Sequence, residues 1–254
     1  MPIRQLAATI FFTLYVGSTL AGLMPPAYAG QSVDHRIYAE LLEKYVDAGR
    51  VNYKGLKTDE KQLDAYLKVL EAVDPAALSR DEQFAFYINA YNAWTLKLIL
   101  SGYPGVKSIK DLGTLFKSPW KKKIVRIDGG ITTLDDVEHN ILRPRFKDPR
   151  VHFAINCAAK SCPPLRSKPY RGEVLNQQLD DVTRSFLNNA SSYRLQGEQF
   201  YVSRIFKWFS EDFSNDVIGF YLVYATADLK KQLRLGMNQI RVAYLPYDWS
   251  LNGN

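Results

Sequence analysis

Ser79-Arg-Asp-Glu-Gln-Phe-Ala-Phe-Tyr-Ile-Asn-Ala-Tyr-Asn-Ala-Trp-Thr-Leu-Lys-Leu-Ile-Leu100, followed by Gly102 and Pro104, is the stretch on which the reading of the fold turns. Ser79 and Glu82 have the spacing of a capping box, and Gly102 with Pro104 supplies a stop. The run between them is apolar nearly all round, and a helix of that kind is buried on most sides. Asn89 and Asn92, one turn apart inside it, then need partners in the core, because an orphaned buried amide costs about 1–3 kcal/mol. Two uses are open for them: tying neighbouring backbone to the helix, or orienting a reacting group and supporting an oxyanion.

Working towards the N-terminus, Tyr38, Leu41, Leu42, Tyr45 and Val46 follow the period of an amphipathic helix that Gly49 ends. Leu63, Tyr66, Leu67 and Leu70 repeat the pattern as far as Asp74-Pro75. Towards the C-terminus, Lys122 to Asp128 alternates as a strand does, and Asp128-Gly129-Gly130 turns it back into Ile131-Thr132. Thr133 caps a further helix whose apolar side is Leu134, Val137, Ile141 and Leu142 and which Pro144 closes. Glu138 and His139 sit in its middle.

Val151 to Asn156 reads as an interior strand after the Asp148-Pro149 turn. Leu175, Leu179, Val182 and Phe186 mark a helix, and a hairpin follows around Gln196-Gly197-Glu198. Phe206, Trp208, Phe209 and Phe213 read as an aromatic core plug, Asp216 to Leu229 as the last long helix and Ile240 to Leu245 as the last strand. Helices dominate and strands come as hairpins and single pieces, with no regular βαβ alternation. The expected fold class is α+β, a single domain, helix-rich with a small, mostly antiparallel sheet.

The first 29 residues stand apart. Arg4 gives a positive start, Leu6 to Leu23 carries no charge, and Ala27-Tyr28-Ala29 fits a small-x-small cleavage site. This predicts a secretory signal peptide at 1–29, cleaved after Ala29, a globular domain at 30–254 with no transmembrane segment, and a periplasmic or secreted location. The formal net charge is +7. Basic runs at Lys117, Lys121, Lys122, Lys123 and Arg126, and at Arg143, Arg145, Lys147 and Arg150, would suit an anionic envelope component such as lipid headgroups or cell-wall polymer. No nucleic-acid motif accompanies them.

The chemistry concentrates in Val151 to Leu165, which holds both cysteines, Cys157 and Cys162, together with His152. In an oxidising compartment two thiols read first as a disulfide, and five positions allow one. The nucleophilic reading takes Cys157, with the Lys160 ammonium nearby, as a thiol of lowered pKa. On a regular strand, parity puts His152 and Asn156 on one face and Cys157 on the other. That favours His139, from the preceding helix, as the base for Cys157, with Asn89 supporting the oxyanion. Asn92, Asn156 and Lys160 are the binding candidates beside them.

His139, His152, Cys157 and Cys162 could alternatively form a zinc site, against which both the cysteine spacing and the strand parity speak. No other cofactor motif is present. Three functions follow: thiol-dependent acyl transfer or hydrolysis, a non-catalytic envelope-binding domain with a structural Cys157–Cys162 disulfide, and a thiol–disulfide redox role.

Four separated segments resemble the family called domain of unknown function 547. They are Phe86-Tyr87-Ile88-Asn89-Ala90-Tyr91-Asn92-Ala93, Glu138-His139-Asn140-Ile141-Leu142-Arg143, Asp148 to Cys157 with Ser161-Cys162-Pro163-Pro164, and Tyr247-Asp248-Trp249-Ser250-Leu251-Asn252. The resemblance implies that His139, His152, Cys157 and Cys162 belong to the recognisable core of the domain. Fusions of similar domains with glutaredoxin-type modules imply a thiol-linked role, and no catalytic assignment comes with the family.

Overall fold

A computed structural model describes residues 32–114 and 116–253. The leader reading falls on residues outside that range. Around the central helix the chain builds α1 (Arg36–Tyr45), the short ladder β1 (Val46–Asp47) and β2 (Arg50–Val51), α2 (Tyr53–Thr58), α3 (Glu60–Glu71) and α4 (Arg80–Leu100) itself. α4 buries 18 of its 21 residues, as its all-round apolarity requires. Its Ser79 cap accepts from Glu82 N–H, but the Glu82 carboxylate does not close the capping box. It reaches instead to the backbone N–H groups of Val33 (3.2 Å) and Gly172 (2.7 Å), tying two distant segments to the helix start. Gly172 is glycine because a Cβ there would stand 2.4 Å from that carboxylate.

The hairpin β3 (Val125–Ile127) and β4 (Gly130–Thr132) leads into α5 (Leu134–Asp136), capped by Thr133 as expected. From Val137 the chain leaves the α-helical path and runs as a π-helix to Phe146, straight through Pro144, and Lys147 closes it in the left-handed conformation. Proline has no N–H to contribute at that position, so the wider turn loses nothing there.

Val151–Ala154 is a helical turn, α6, and not a strand. The Asp148-Pro149 turn starts it, with Val151, His152 and Phe153 N–H groups donating to Asp148, Pro149 and Arg150 carbonyls, and among the described residues no strand pairs with the segment. A short buried apolar run has the same composition in either conformation, and only its neighbours decide.

α7 (Leu175–Leu187) follows, then β5 (Tyr193–Gln196) and β6 (Gln199–Val202), α8 (Ile205–Trp208), α9 (Val217–Tyr224), α10 (Ala227–Leu235) and β7 (Arg241–Tyr244). β5 and β6 are antiparallel and β7 joins β6 in parallel, so the sheets are small and mostly antiparallel, and the fold is α+β. The long helix expected from Asp216 is two helices. Ala225 is extended, Thr226 caps the second, and Asn188 holds the break by accepting from Thr226 N–H and donating to the Tyr224 carbonyl. Among the described residues no helix is long and apolar enough to cross a membrane.

The core has two parts. One surrounds α4; the other gathers Phe200, Phe206, Phe213 and Tyr221 against α7, α9 and α10. α6 is shared between them, with Val151, Ala154 and Ile155 in the first and Phe153 in the second. The chemistry-bearing loop leaves the seam between the two.

Candidate functional site

Asn92 sets the path of that loop. Its amide donates to the Ala154 carbonyl (3.0 Å) and accepts from Asn156 N–H (2.8 Å), clamping the exit of α6. Asn156 then organises the turn, accepting from Ala158 N–H (2.8 Å) and donating to the Pro163 carbonyl (2.7 Å). Ala158 adopts φ +61, a left-handed conformation a Cβ disfavours by about 1–2 kcal/mol. The closing segment holds it there, since Asn252 N–H donates to the Ala158 carbonyl and Ser250 accepts from Lys160 N–H. Both asparagines are thus scaffold for the loop, and Lys160 is exposed on its outer side.

The folded loop places Cys157, half-buried, in the wall of a cavity of about 240 Å³. Cys157 and Cys162 are free thiols, with Cys157 N–H donating to Cys162 Sγ at 2.9 Å. The Cys157 sulfur lies 3.3 Å from the Tyr247 hydroxyl. A hydrogen bond from the Cys162 thiol is the strongest influence on Cys157 and pulls it below the ordinary thiol range. Burial opposes this, the Tyr247 hydroxyl and Ala159 N–H add to it, and the Glu138 charge opposes it. Burial drives Cys162 the other way, so it keeps its proton and serves as donor. Its S–H also lies 3.9 Å from the Ile155 carbonyl, but an ionised Cys157 sulfur is the stronger acceptor.

His152 lines the same cavity. The parity argument that separated it from Cys157 fails because the segment is a helical turn followed by a bend. His152 Nε2 meets Asp212 Oδ2 at 2.6 Å, and Phe209 stacks on the ring at 4.0 Å between centroids. Asp212 is also gripped by Arg143 through two bonds of 2.6 and 3.0 Å. Burial acts most strongly on Asp212 and in the opposite sense, yet the bonds from His152 and Arg143 together hold it well below the carboxylate range. His152 is nevertheless lowered. Burial, with 2 % of its side chain exposed, outweighs an aspartate whose charge Arg143 already shares. The imidazole is therefore neutral at pH 7 and donates Nε2–H to Asp212, which leaves the Nδ1 lone pair free to take a proton.

His139 also lines the cavity but is exposed. Its Nδ1 accepts from Arg143 at 3.0 Å, since a guanidinium only donates. The proton of neutral His139 therefore sits on Nε2, and the residue faces the cavity as a donor and not as the base expected from sequence. Burial, countered by Asp135 and aided by Arg143, lowers its pKa. Beside it Glu138 is buried; desolvation raises it to about 7 against a 3.2 Å bond from the Tyr91 hydroxyl.

Asn89 is not among the cavity residues. Its amide donates to the Tyr170 carbonyl (2.8 Å) and accepts from Tyr170 N–H (2.9 Å), with His35 Nε2 at 3.2 Å. No part of the side chain is left for an oxyanion. For the zinc alternative at His139, His152, Cys157 and Cys162, among the described residues no three His, Cys, Asp or Glu side chains converge on a metal position.

Four contributors escaped the sequence reading. Asp212 and Phe209 lay inside the stretch read as an aromatic plug, where an acid among aromatics was the available signal. Arg143 was counted only as surface charge, and Tyr247 was noted as part of a motif without a role.

Residues 75–187 match the family model described as protein of unknown function, DUF547. The chain carries a DUF547 domain. The match covers α4, the π-helix, α6, the cysteine loop and α7. Asp212 and Tyr247 come from beyond it, so the DUF547 segment holds the thiols and histidines while the rest of the chain supplies the aspartate and the tyrosine. No curated protein and no solved structure matches the chain.

Proposed function

We propose that the chain is an exported thiol enzyme that transfers or hydrolyses acyl groups, with Cys157 as nucleophile and His152 as base. The observation that supports this most strongly is a half-buried thiol of lowered pKa sharing one cavity with a neutral histidine held by an aspartate. Cys157 sulfur attacks the acyl carbon, and any proton it still carries passes to His152. The carbonyl π-electrons move to oxygen and return as the bond to the leaving group breaks, and the leaving group takes the proton that His152 received from the thiol or, where the thiol was already ionised, departs as its anion. Water or an amine, deprotonated by His152, then attacks the thioester, releases the acyl product and restores the thiolate. His139 Nε2–H and protonated Glu138 stand at the cavity as donors for developing negative charge.

Iodoacetamide titration and turnover of a p-nitrophenyl acyl ester test this together. Fast alkylation of Cys157 below pH 7, with a burst of p-nitrophenol that Cys157→Ala abolishes, is the expected result. Protein isolated from an oxidising compartment with no free thiol would instead assign a structural disulfide. The adjacency of Cys157 and Cys162 supports a second, redox reading, which predicts reversible loss of both thiols on oxidation and no ester turnover.

A further inference from the structure

Positive charge is concentrated at one edge of the cavity. Residues 107–126 contain six lysines, one arginine and a single aspartate, so this stretch carries +6 where the whole chain carries +7. The aspartate, Asp111, accepts from the N–H groups of Lys107 and Ser108, which leaves little of it for the lysines. Arg126 lies 3.6 Å from Glu71, and among the described residues none of the six lysines forms an ion pair. Lys117, Lys121 and Lys123 are exposed. A solvated basic face needs nothing more, but this one also carries an aromatic out of place: Phe116 is 98 % exposed, beside Lys117.

The same stretch borders the cavity. Ser118 and Trp120 line it, Trp120 meets Trp249 edge-on at 5.8 Å, and Trp249 meets Trp208, itself 43 % exposed, at 5.7 Å. Lys110 Nζ sits 3.8 Å over the Trp249 ring. Tryptophan and phenylalanine with long basic side chains are what a lipid interface selects, since the rings enter the headgroup zone while the ammonium groups meet lipid phosphates. A soluble anionic polymer would reward the lysines and give no reason to expose Phe116.

We propose that the Lys107–Arg126 edge docks on an anionic lipid bilayer, with Phe116 entering the interface and the mouth of the Cys157 cavity opening beside the membrane surface. The surface is independent of what Cys157 does. Co-sedimentation with vesicles of phosphatidylcholine, with and without phosphatidylglycerol, tests it on the full chain and on the chain beginning at Gly30, so that the apolar leader's own affinity is separated.

The expected result is binding to the anionic vesicles alone, weakened by salt. Each of Lys117→Ala, Lys121→Ala and Lys123→Ala should lower partitioning about fivefold, and Phe116→Ser should lower it about tenfold without changing the salt dependence. Iodoacetamide reactivity of Cys157 in each variant confirms that the fold is kept. Absence of vesicle binding in both chains overturns the proposal. So does binding to dextran sulfate as tight as to vesicles with no effect of Phe116→Ser, which would assign the edge to a soluble polyanion.

Discussion

Two buried histidines, His35 and His152, differ in how their ring nitrogens are used. His35 has both ring nitrogens occupied, Nδ1 by the Tyr66 hydroxyl at 2.7 Å and Nε2 by Asn89 at 3.2 Å. Burial lowers its pKa to about 4. His152 is as deeply buried but has one nitrogen on Asp212, and it borders a cavity with a thiol in its wall. The lesson lies in the count of partners. A buried polar group with all its valences used fixes a fold, while one with a valence left over beside open space can do chemistry. Asn89 and Cys157 repeat the contrast, the amide saturated by Tyr170 and His35 and the thiol left half-buried in the cavity wall.

The first way to break this comparison is to remove the sulfur. Cys157→Ala should abolish fast alkylation and ester turnover while the far-ultraviolet circular dichroism stays unchanged, and residual turnover above the uncatalysed rate would move the chemistry elsewhere. Next, His152→Ala should lower ester turnover by about 100- to 10,000-fold, the usual worth of a general base, and change Cys157 alkylation much less. An equal loss in both rates would mean that His152 only tunes the thiol.

On the saturated side, Asn89→Ala leaves the N–H and carbonyl of Tyr170 without partners. Denaturant unfolding should show about 2–5 kcal/mol less stability, with Cys157 alkylation of the folded protein unchanged. A loss of reactivity at intact stability would bring Asn89 back into the chemistry.

The pH dependence of stability separates the two regions again. His35 is depressed from 6.5 to about 4, so its contribution is present above pH 6.5 and is lost as pH falls towards 4. Glu138 is raised from 4.5 to about 7, so its contribution is present below pH 4.5 and is lost as pH rises through 7. Each is worth at most about 3 kcal/mol over its window, and between pH 4.5 and 6.5 the two slopes oppose. His152 and His139, also lowered by burial, add to the His35 slope. Relative to the parent protein, the rise of the unfolding midpoint with pH should be steeper in Glu138→Gln and shallower in His35→Gln, and the reverse changes would refute the assignment. The smallest effect expected is that of Tyr247→Phe, which deletes one donor to Cys157. A bond worth about 1 kcal/mol should lower the alkylation rate below pH 7 about fivefold.

The sequence by itself determined α4, because its caps, its length and its all-round apolarity allow one conformation and one location. It also determined the Thr133 cap, the two hairpins and the α+β class. Those features depend on neighbours within a few residues, where propensity, capping and turn chemistry act. The conformation of Val151–Ala154 was not of that kind: a buried apolar run suits a strand or a helical turn, and the absence of a partner strand decided it. The site inherited that uncertainty, since strand parity sent His152 away from Cys157 and the helical turn returned it to the cavity. Asp212 and Tyr247 lie 55 and 90 positions from Cys157, and no local pattern joins them to it. Only the packing of the second core against the first, and the closing segment against the cysteine loop, brings the aspartate and the hydroxyl to a site whose thiol and histidine the sequence had already singled out.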